Sequence, residues 1–257
     1  MAEPGVLDGI LAQKREEIAR MHAAPKPEPG PAPRPLELVR NGGPLRLICE
    51  IKRRSPSAGE LDQTLSVVDR AARYAESGAD MLSVLTDERF FGGSFAHIEQ
   101  IRAAIPQIPI LCKEFILDEI QLDYARHAGA DAVLLIVRCL EERTASLLVA
   151  ARARGLSALV EIVDEAERRI ALDAGADFIG VNSRDLDKLN IDVGRAARLI
   201  DTLPSHVVAA QLSGLRSADD VRGVAQGRAD AALIGEALMR QADPSALLGA
   251  MRKAADG

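Results

Sequence analysis

The stretch Ala174-Gly175-Ala176-Asp177-Phe178-Ile179-Gly180-Val181 decides how this chain folds. Before it, Ala166, Ile170 and Ala174 recur at helical spacing, and Gly175 supplies the conformation that ends a helix. After it, Phe178 to Val181 is a short apolar run, as expected of a strand covered on both faces. The same junction recurs at Ser77-Gly78-Ala79-Asp80, Ala128-Gly129-Ala130-Asp131 and Gly227-Arg228-Ala229-Asp230. The copies stand about 50 residues apart, the length of two βα units.

Working outward, apolar and β-branched runs occur at 47–52, 81–85, 108–113, 132–137, 158–163, 178–181, 207–212 and 231–234. Helical patterns separate them, such as Leu140, Thr144, Leu147, Leu148 and Ala151, and Ser217 with Asp220 marks another helix start. Eight strands alternating with helices, in a four-fold repeat, predict a closed (β/α)₈ TIM barrel. An open doubly wound sheet has less reason to repeat in quarters. Ahead of the barrel, Leu7, Ile10, Leu11 and Ile18 predict an amphipathic helix, and the proline-rich Pro25 to Pro35 excludes regular structure. The expected organisation is one domain, with an N-terminal helical extension over 1–44 and the barrel over 45–257.

The length of 257 residues suits such a barrel, and 47% apolar residues suffice for its core. Only 3% are aromatic, so Ala, Leu, Val and Ile must do the packing. With a net charge of −6 and mixed signs along the chain, a basic patch for nucleic acid or a membrane surface is not expected. No apolar stretch approaches the roughly 20 residues of a membrane span, and the N-terminus lacks a signal-peptide core. Cys49, Cys112 and Cys139 are far apart in sequence and read as reduced thiols of a cytoplasmic protein.

Barrel chemistry sits at the C-terminal ends of the strands. Glu50 and Lys52 close the first run, Lys113 the third and Glu161 the fifth, while Asn182 and Arg184 follow the sixth. Glu50 and Lys52 are two apart and share a face with Ile48, which places them toward the interior. Charged groups there are expensive unless paired or used. A salt bridge that only holds the barrel is the plain alternative for one such pair; their joint appearance at several strand ends argues for a site. None of the four histidines, His22, His97, His127 and His206, stands at a strand end, so acid–base work falls to lysines and glutamates. No cluster has metal-ligand spacing, and no dinucleotide or P-loop motif appears. Ser213-Gly214 and Gly235-Glu236 follow the seventh and eighth runs, the usual phosphate position of these barrels.

Read together, Cys49-Glu50-Ile51-Lys52-Arg53-Arg54-Ser55-Pro56-Ser57 resembles the first-strand signature of the indole-3-glycerol-phosphate synthases. Leu85-Thr86-Asp87 through Phe91-Gly92-Gly93-Ser94, Cys112-Lys113-Glu114-Phe115 and Asn182-Ser183-Arg184-Asp185-Leu186 resemble further motifs of that family, and the N-terminal helix resembles its extra helix. The resemblance implies ring closure of 1-(2-carboxyphenylamino)-1-deoxyribulose 5-phosphate to indole-3-glycerol phosphate, with loss of carbon dioxide and water and no cofactor. It implies Lys113 as general acid, Lys52 as a binder of charged substrate groups, Glu161 in proton transfer, Glu50 as an orienting group, and Asn182, Arg184 and Ser213 on the substrate. Phe91 and Phe115 are implied as walls for the aromatic ring, and Ser55, Gly214, Gly235 and Glu236 as the phosphate site. A monomer acting on a phosphorylated small molecule is expected, with the Arg53 to Gly59 segment closing over it. One departure stands out: the family's seventh strand ends in Glu-Ser-Gly, and this chain has Leu212-Ser213-Gly214. An alternative is therefore a divergent phosphate-binding barrel with reduced or altered activity.

Overall fold

The computed structural model describes residues 5–56, 59–184 and 192–256. Helix α1 (Val6–Ala23) precedes β1 (Arg46–Ile51), a two-stranded excursion β2 (Arg54–Ser55) and β3 (Gly59–Glu60), and α2 (Val67–Glu76). Then come β4 (Met81–Leu85), α3 (Glu88–Phe91), α4 (Phe95–Ala104), β5 (Ile110–Lys113) and α5 (Glu119–Ala128). The middle holds β6 (Ala132–Ile136), α6 (Val137–Leu140), α7 (Thr144–Ala153), β7 (Ser157–Ile162), α8 (Glu165–Asp173) and β8 (Phe178–Val181). Helix α9 (Val193–Asp201), β9 (Val208–Gln211), α10 (Ala218–Ala225), β10 (Ala231–Ile234), α11 (Glu236–Met239) and α12 (Ser245–Ala255) complete the chain.

Eight of these strands, β1 and β4 to β10, pair in parallel and close into a barrel in the order β1-β10-β9-β8-β7-β6-β5-β4. They match the eight runs read from the sequence; the hairpin β2–β3 was not anticipated, because two-residue strands carry no periodicity. Alternation along each strand divides the apolar residues into two shells. Ile48, Met81, Leu111, Leu134, Leu159, Phe178, Ala210 and Leu233 fill the barrel. Cys49, Leu82, Val84, Ile110, Val133 and Ile179 face the helices.

The repeated junction has a physical cause. Gly78, Gly129 and Gly175 hold φ of 97°, 90° and 78°, left-handed conformations that glycine adopts without a Cβ penalty. The following N–H groups of Ala79, Ala130 and Ala176 return to the carbonyls of Tyr74, Ala125 and Ala171, closing each helix. The aspartates then cap the barrel floor. Asp80, Asp131 and Asp230 accept from the backbone N–H of Leu47, Ile110 and Ala209 at 2.8, 2.8 and 2.9 Å, each near the start of the preceding barrel strand. Asp177 instead turns outward to Arg152.

The N-terminal segment spans the barrel from mouth to floor. Val6, Leu7 and Ile10 of α1 lie over the strand ends, and Leu38 inserts among the interior residues near the strand starts. Between them the proline-rich strap runs along α5, where Gly30 exchanges hydrogen bonds with Arg126. Gly30 is required there, since a Cβ would collide with the His127 carbonyl.

Candidate active site

The C-terminal ends of the barrel strands enclose a pocket, and every residue singled out above for chemistry or binding lines it. Ser57, Asp185 and Leu186 of the quoted motifs lie outside the described residues, as does Ala58 in the segment expected to close over substrate.

On β1, Glu50 is buried and faces inward, and Lys52 just past the strand end donates to its Oε1 at 2.5 Å. Burial pushes the Glu50 carboxyl up, but Lys52, Lys113 and Arg184 together outweigh it and hold Glu50 below the usual carboxylate range. Gly235, just past the end of β10, the neighbour of β1 in the barrel, leaves the space this pair needs: a Cβ there would sit on Glu50 Oε1.

A second pair stands opposite. Lys113 Nζ, at the end of β5, lies 3.6 Å from Glu161 Oε2 on β7. Glu161 Oε1 accepts from Asn182 Nδ2 at 2.9 Å, while its buried Oε2 makes no hydrogen bond among the described residues. Asn182 is itself held: its Oδ1 accepts from Ser213 Oγ at 2.7 Å and from the Arg184 N–H at 3.0 Å. Ser213 thus reaches the site through Asn182, and Ser183 braces it from behind, donating to the Ser213 carbonyl at 2.9 Å. The Arg184 guanidinium extends to within 3.8 Å of Glu236 Oε2. Because the Glu236 carboxylate is paired with Arg184 and Arg240, this residue can serve an anion only through its backbone.

An apolar slot adjoins these charges. Phe91 and Phe115 lie with ring centroids 6.0 Å apart at 33°. Phe91 is set by α3, a single turn capped by the Asp87 carboxylate, which accepts from the N–H of Phe90 at 2.7 Å. Leu134, Ile136, Leu212 and Leu233 form its floor. Leu212 lies on the inner face of the barrel, where its side chain occupies the space that Gly180 leaves open. Gln211, its neighbour, is buried on the opposite face and donates to the Ser213 carbonyl at 3.3 Å, so it is no substitute for an acidic group in the pocket.

Sequence reasoning missed the contribution of α1. Besides its three apolar pocket residues, the helix carries Lys14, fully buried, with Nζ at 2.6 Å from Glu17, 2.9 Å from Asp87 and 2.9 Å from Glu114. Those carboxylates hold the ammonium charged against the cost of burial, and its pKa lies above the ordinary lysine value. Glu114 follows Lys113 directly, so this ion cluster anchors the helix beside the site. The signal was present: Lys14 stands seven residues after Leu7 and four after Ile10, on the apolar face.

Comparison with known proteins gives one answer by sequence. A family model described as indole-3-glycerol phosphate synthase matches residues 7–251. Indole-3-glycerol phosphate synthase of Opitutus terrae is 42% identical, covering 97% of this chain and 99% of its own. Indole-3-glycerol phosphate synthase 1 of Streptomyces coelicolor is also 42% identical, over 93% of this chain and 90% of its own. Among solved structures, a 3-hexulose-6-phosphate synthase superposes with a TM-score of 0.67 at 19% identity, over 82% of this chain and 99% of that one. The tryptophan synthase α subunit of Legionella pneumophila gives 0.63 at 16%, over 82% and 93%. At such low identity these two structures bear on the fold alone.

Proposed function

The chain belongs to the indole-3-glycerol phosphate synthase family, and on that premise we propose how its pocket closes an indole ring. The substrate class is 1-(2-carboxyphenylamino)-1-deoxyribulose 5-phosphate, and the products are indole-3-glycerol phosphate, carbon dioxide and water. The observation that carries the reading is the convergence of two lysine–glutamate pairs on one apolar slot, with Glu161 Oε2 buried and, among the described residues, without a hydrogen bond.

Phe91 and Phe115 wall the carboxyphenyl ring, and Lys52 and Arg184 meet the substrate's negative charges. Small residues at Gly214 and Gly235, with Ser55 and the backbone at Glu236, receive the phosphate. When the ring carbon that bears the carboxylate attacks the ribulose carbonyl carbon, charge grows on the carbonyl oxygen. Lys113 gives its proton to that oxygen and is recharged from solvent. Loss of carbon dioxide returns the bonding electrons to the ring. Water then leaves: an ammonium protonates the departing hydroxyl, and Glu161 Oε2 takes the proton released as the pyrrole double bond forms. Glu50 keeps Lys52 charged and oriented, and the Ser213–Asn182 contact holds Glu161 in register. The protein is expected to act as a cytoplasmic monomer; among the described residues the large exposed apolar side chains, Val6, Val39, Val149 and Val193, lie on separate segments.

Leu212 motivates the second reading, a barrel of altered chemistry. It removes a carboxylate but leaves both lysines with acidic partners, which favours the synthase. Rapid quench with Glu161→Gln tests the assignment of roles. Accumulation of a ring-closed, decarboxylated but hydrated intermediate is expected; a block before carbon dioxide release would assign Glu161 to the first step instead.

A further inference from the structure

Helix α2 carries two buried polar side chains that the proposed chemistry does not use, Arg70 and Tyr74, one turn apart. Arg70 is 1% exposed. Its Nη1 donates to the carbonyls of Leu238 and Gln241 at 3.2 and 3.1 Å, and its Nη2 to Gln241 at 3.1 Å and Asp62 Oδ1 at 3.0 Å. The Leu238 carbonyl in the last turn of α11 and the Gln241 carbonyl just beyond the helix thus receive a planar fork of donors. This is the segment that begins at Gly235 and Glu236.

Asp62 belongs to the other wall. It ends the excursion from β1 that carries Ser55, and that excursion is pinned by Leu61 N–H to the Arg53 carbonyl at 2.9 Å. Asp62 N–H also donates to the Met239 carbonyl at 3.1 Å. Tyr74 completes the frame, its hydroxyl 3.3 Å from the Glu50 carbonyl and 3.5 Å from Met239 Sδ. One guanidinium therefore ties the Ser55 wall of the pocket to the Gly235 wall. An apolar residue would join α2 to α11 with less desolvation cost; what a charged fork adds is fixed geometry.

We propose that Arg70 is a positioning residue for the phosphate end of the site, setting the separation of the Ser55 and Gly235 walls. It rests on the reading above that the phosphate lies between them. The binding of an anion then depends on Arg70 although Arg70 does not touch it.

The test compares Arg70→Met, Arg70→Lys and Asp62→Asn in the full chain, with inorganic phosphate as a competitive inhibitor of turnover. Arg102→Met is the control, because Arg102 is as deeply paired, to Asp131 and the Gly129 carbonyl, but at the barrel floor. Arg70→Met is expected to raise both KM and the phosphate inhibition constant about tenfold with kcat changed less than threefold. Arg70→Lys should recover part of the loss, and Asp62→Asn should show a smaller rise of the same kind. Arg102→Met should lower Tm and leave both constants unchanged. If Arg70→Met does not fold, Asp62→Asn and Arg70→Lys carry the comparison. Equal phosphate inhibition in the wild type and the Arg70 and Asp62 variants, or an equal rise in Arg102→Met, overturns the proposal. No phosphate inhibition of the wild type overturns the phosphate reading itself, and this proposal with it.

Discussion

At the residue scale, the two lysines stand in separate pairs, Lys52 with Glu50 and Lys113 with Glu161, so single substitutions should separate the roles. Lys113→Ala is expected to lower kcat by about 10³-fold, since in the proposed mechanism Lys113 supplies both the proton and the charge that stabilises the oxyanion. A loss under tenfold, measured by initial rates, would move the acid role elsewhere. Leu212→Glu is expected to change kcat less than tenfold, because both lysines already have a carboxylate. A large gain would show that the native chain lacks a group it needs. Glu50 makes a pH prediction. Its folded pKa lies below the ordinary value, so its ionised form stabilises the fold at neutral pH, and that contribution is lost as pH falls through the depressed value. The stability difference between wild type and Glu50→Gln in urea should therefore stay flat from pH 8 to 5 and shrink only below about pH 4. A step between pH 5 and 7 would contradict the depressed pKa. Strand-end position made all of these residues legible in the sequence. Their partners were not, because Ser213 reaching Asn182, or Gly235 making room for Glu50, depends on how strands distant in sequence are set side by side.

At the element scale, the eight barrel strands could be read because buried parallel strands are continuous apolar runs. Helix α1 could be read as a helix but not as part of the site, since amphipathicity reports that a face is covered and not what covers it. Leu38 in the barrel floor was equally hidden, lying in a segment with no periodicity. Lys14 tests the importance of α1. Lys14→Met leaves Asp87 and Glu114 buried without their cation, which should cost about 3–5 kcal/mol and lower Tm by roughly 10 °C in a calorimetric scan. Because α3 is capped by Asp87 and Lys113 precedes Glu114, KM should rise as well. A variant with wild-type Tm and KM would make the cluster a passive surface of the helix.

At the scale of the whole molecule, the barrel floor carries paired structural aspartates and the mouth carries the pocket. The repeated junctions ending in Ala-Asp, which announced the fold, belong to the floor, where Asp80, Asp131 and Asp230 hold strand starts. Asp131→Ala should therefore lower Tm by roughly 5–10 °C, from a loss of about 3 kcal/mol, with KM and kcat unchanged below the transition. Altered kinetics at full folding would mean that floor and mouth are coupled. The central claim, that the mouth closes an indole ring, is tested most directly by its fluorescence. Steady-state formation of indole-3-glycerol phosphate from 1-(2-carboxyphenylamino)-1-deoxyribulose 5-phosphate would be followed with chelator present and no cofactor added, beside Lys113→Ala. Turnover by the native chain, abolished by this substitution, is the expected result. Tight binding of substrate without turnover by the native chain would contradict it and leave a phosphate-binding barrel with different chemistry.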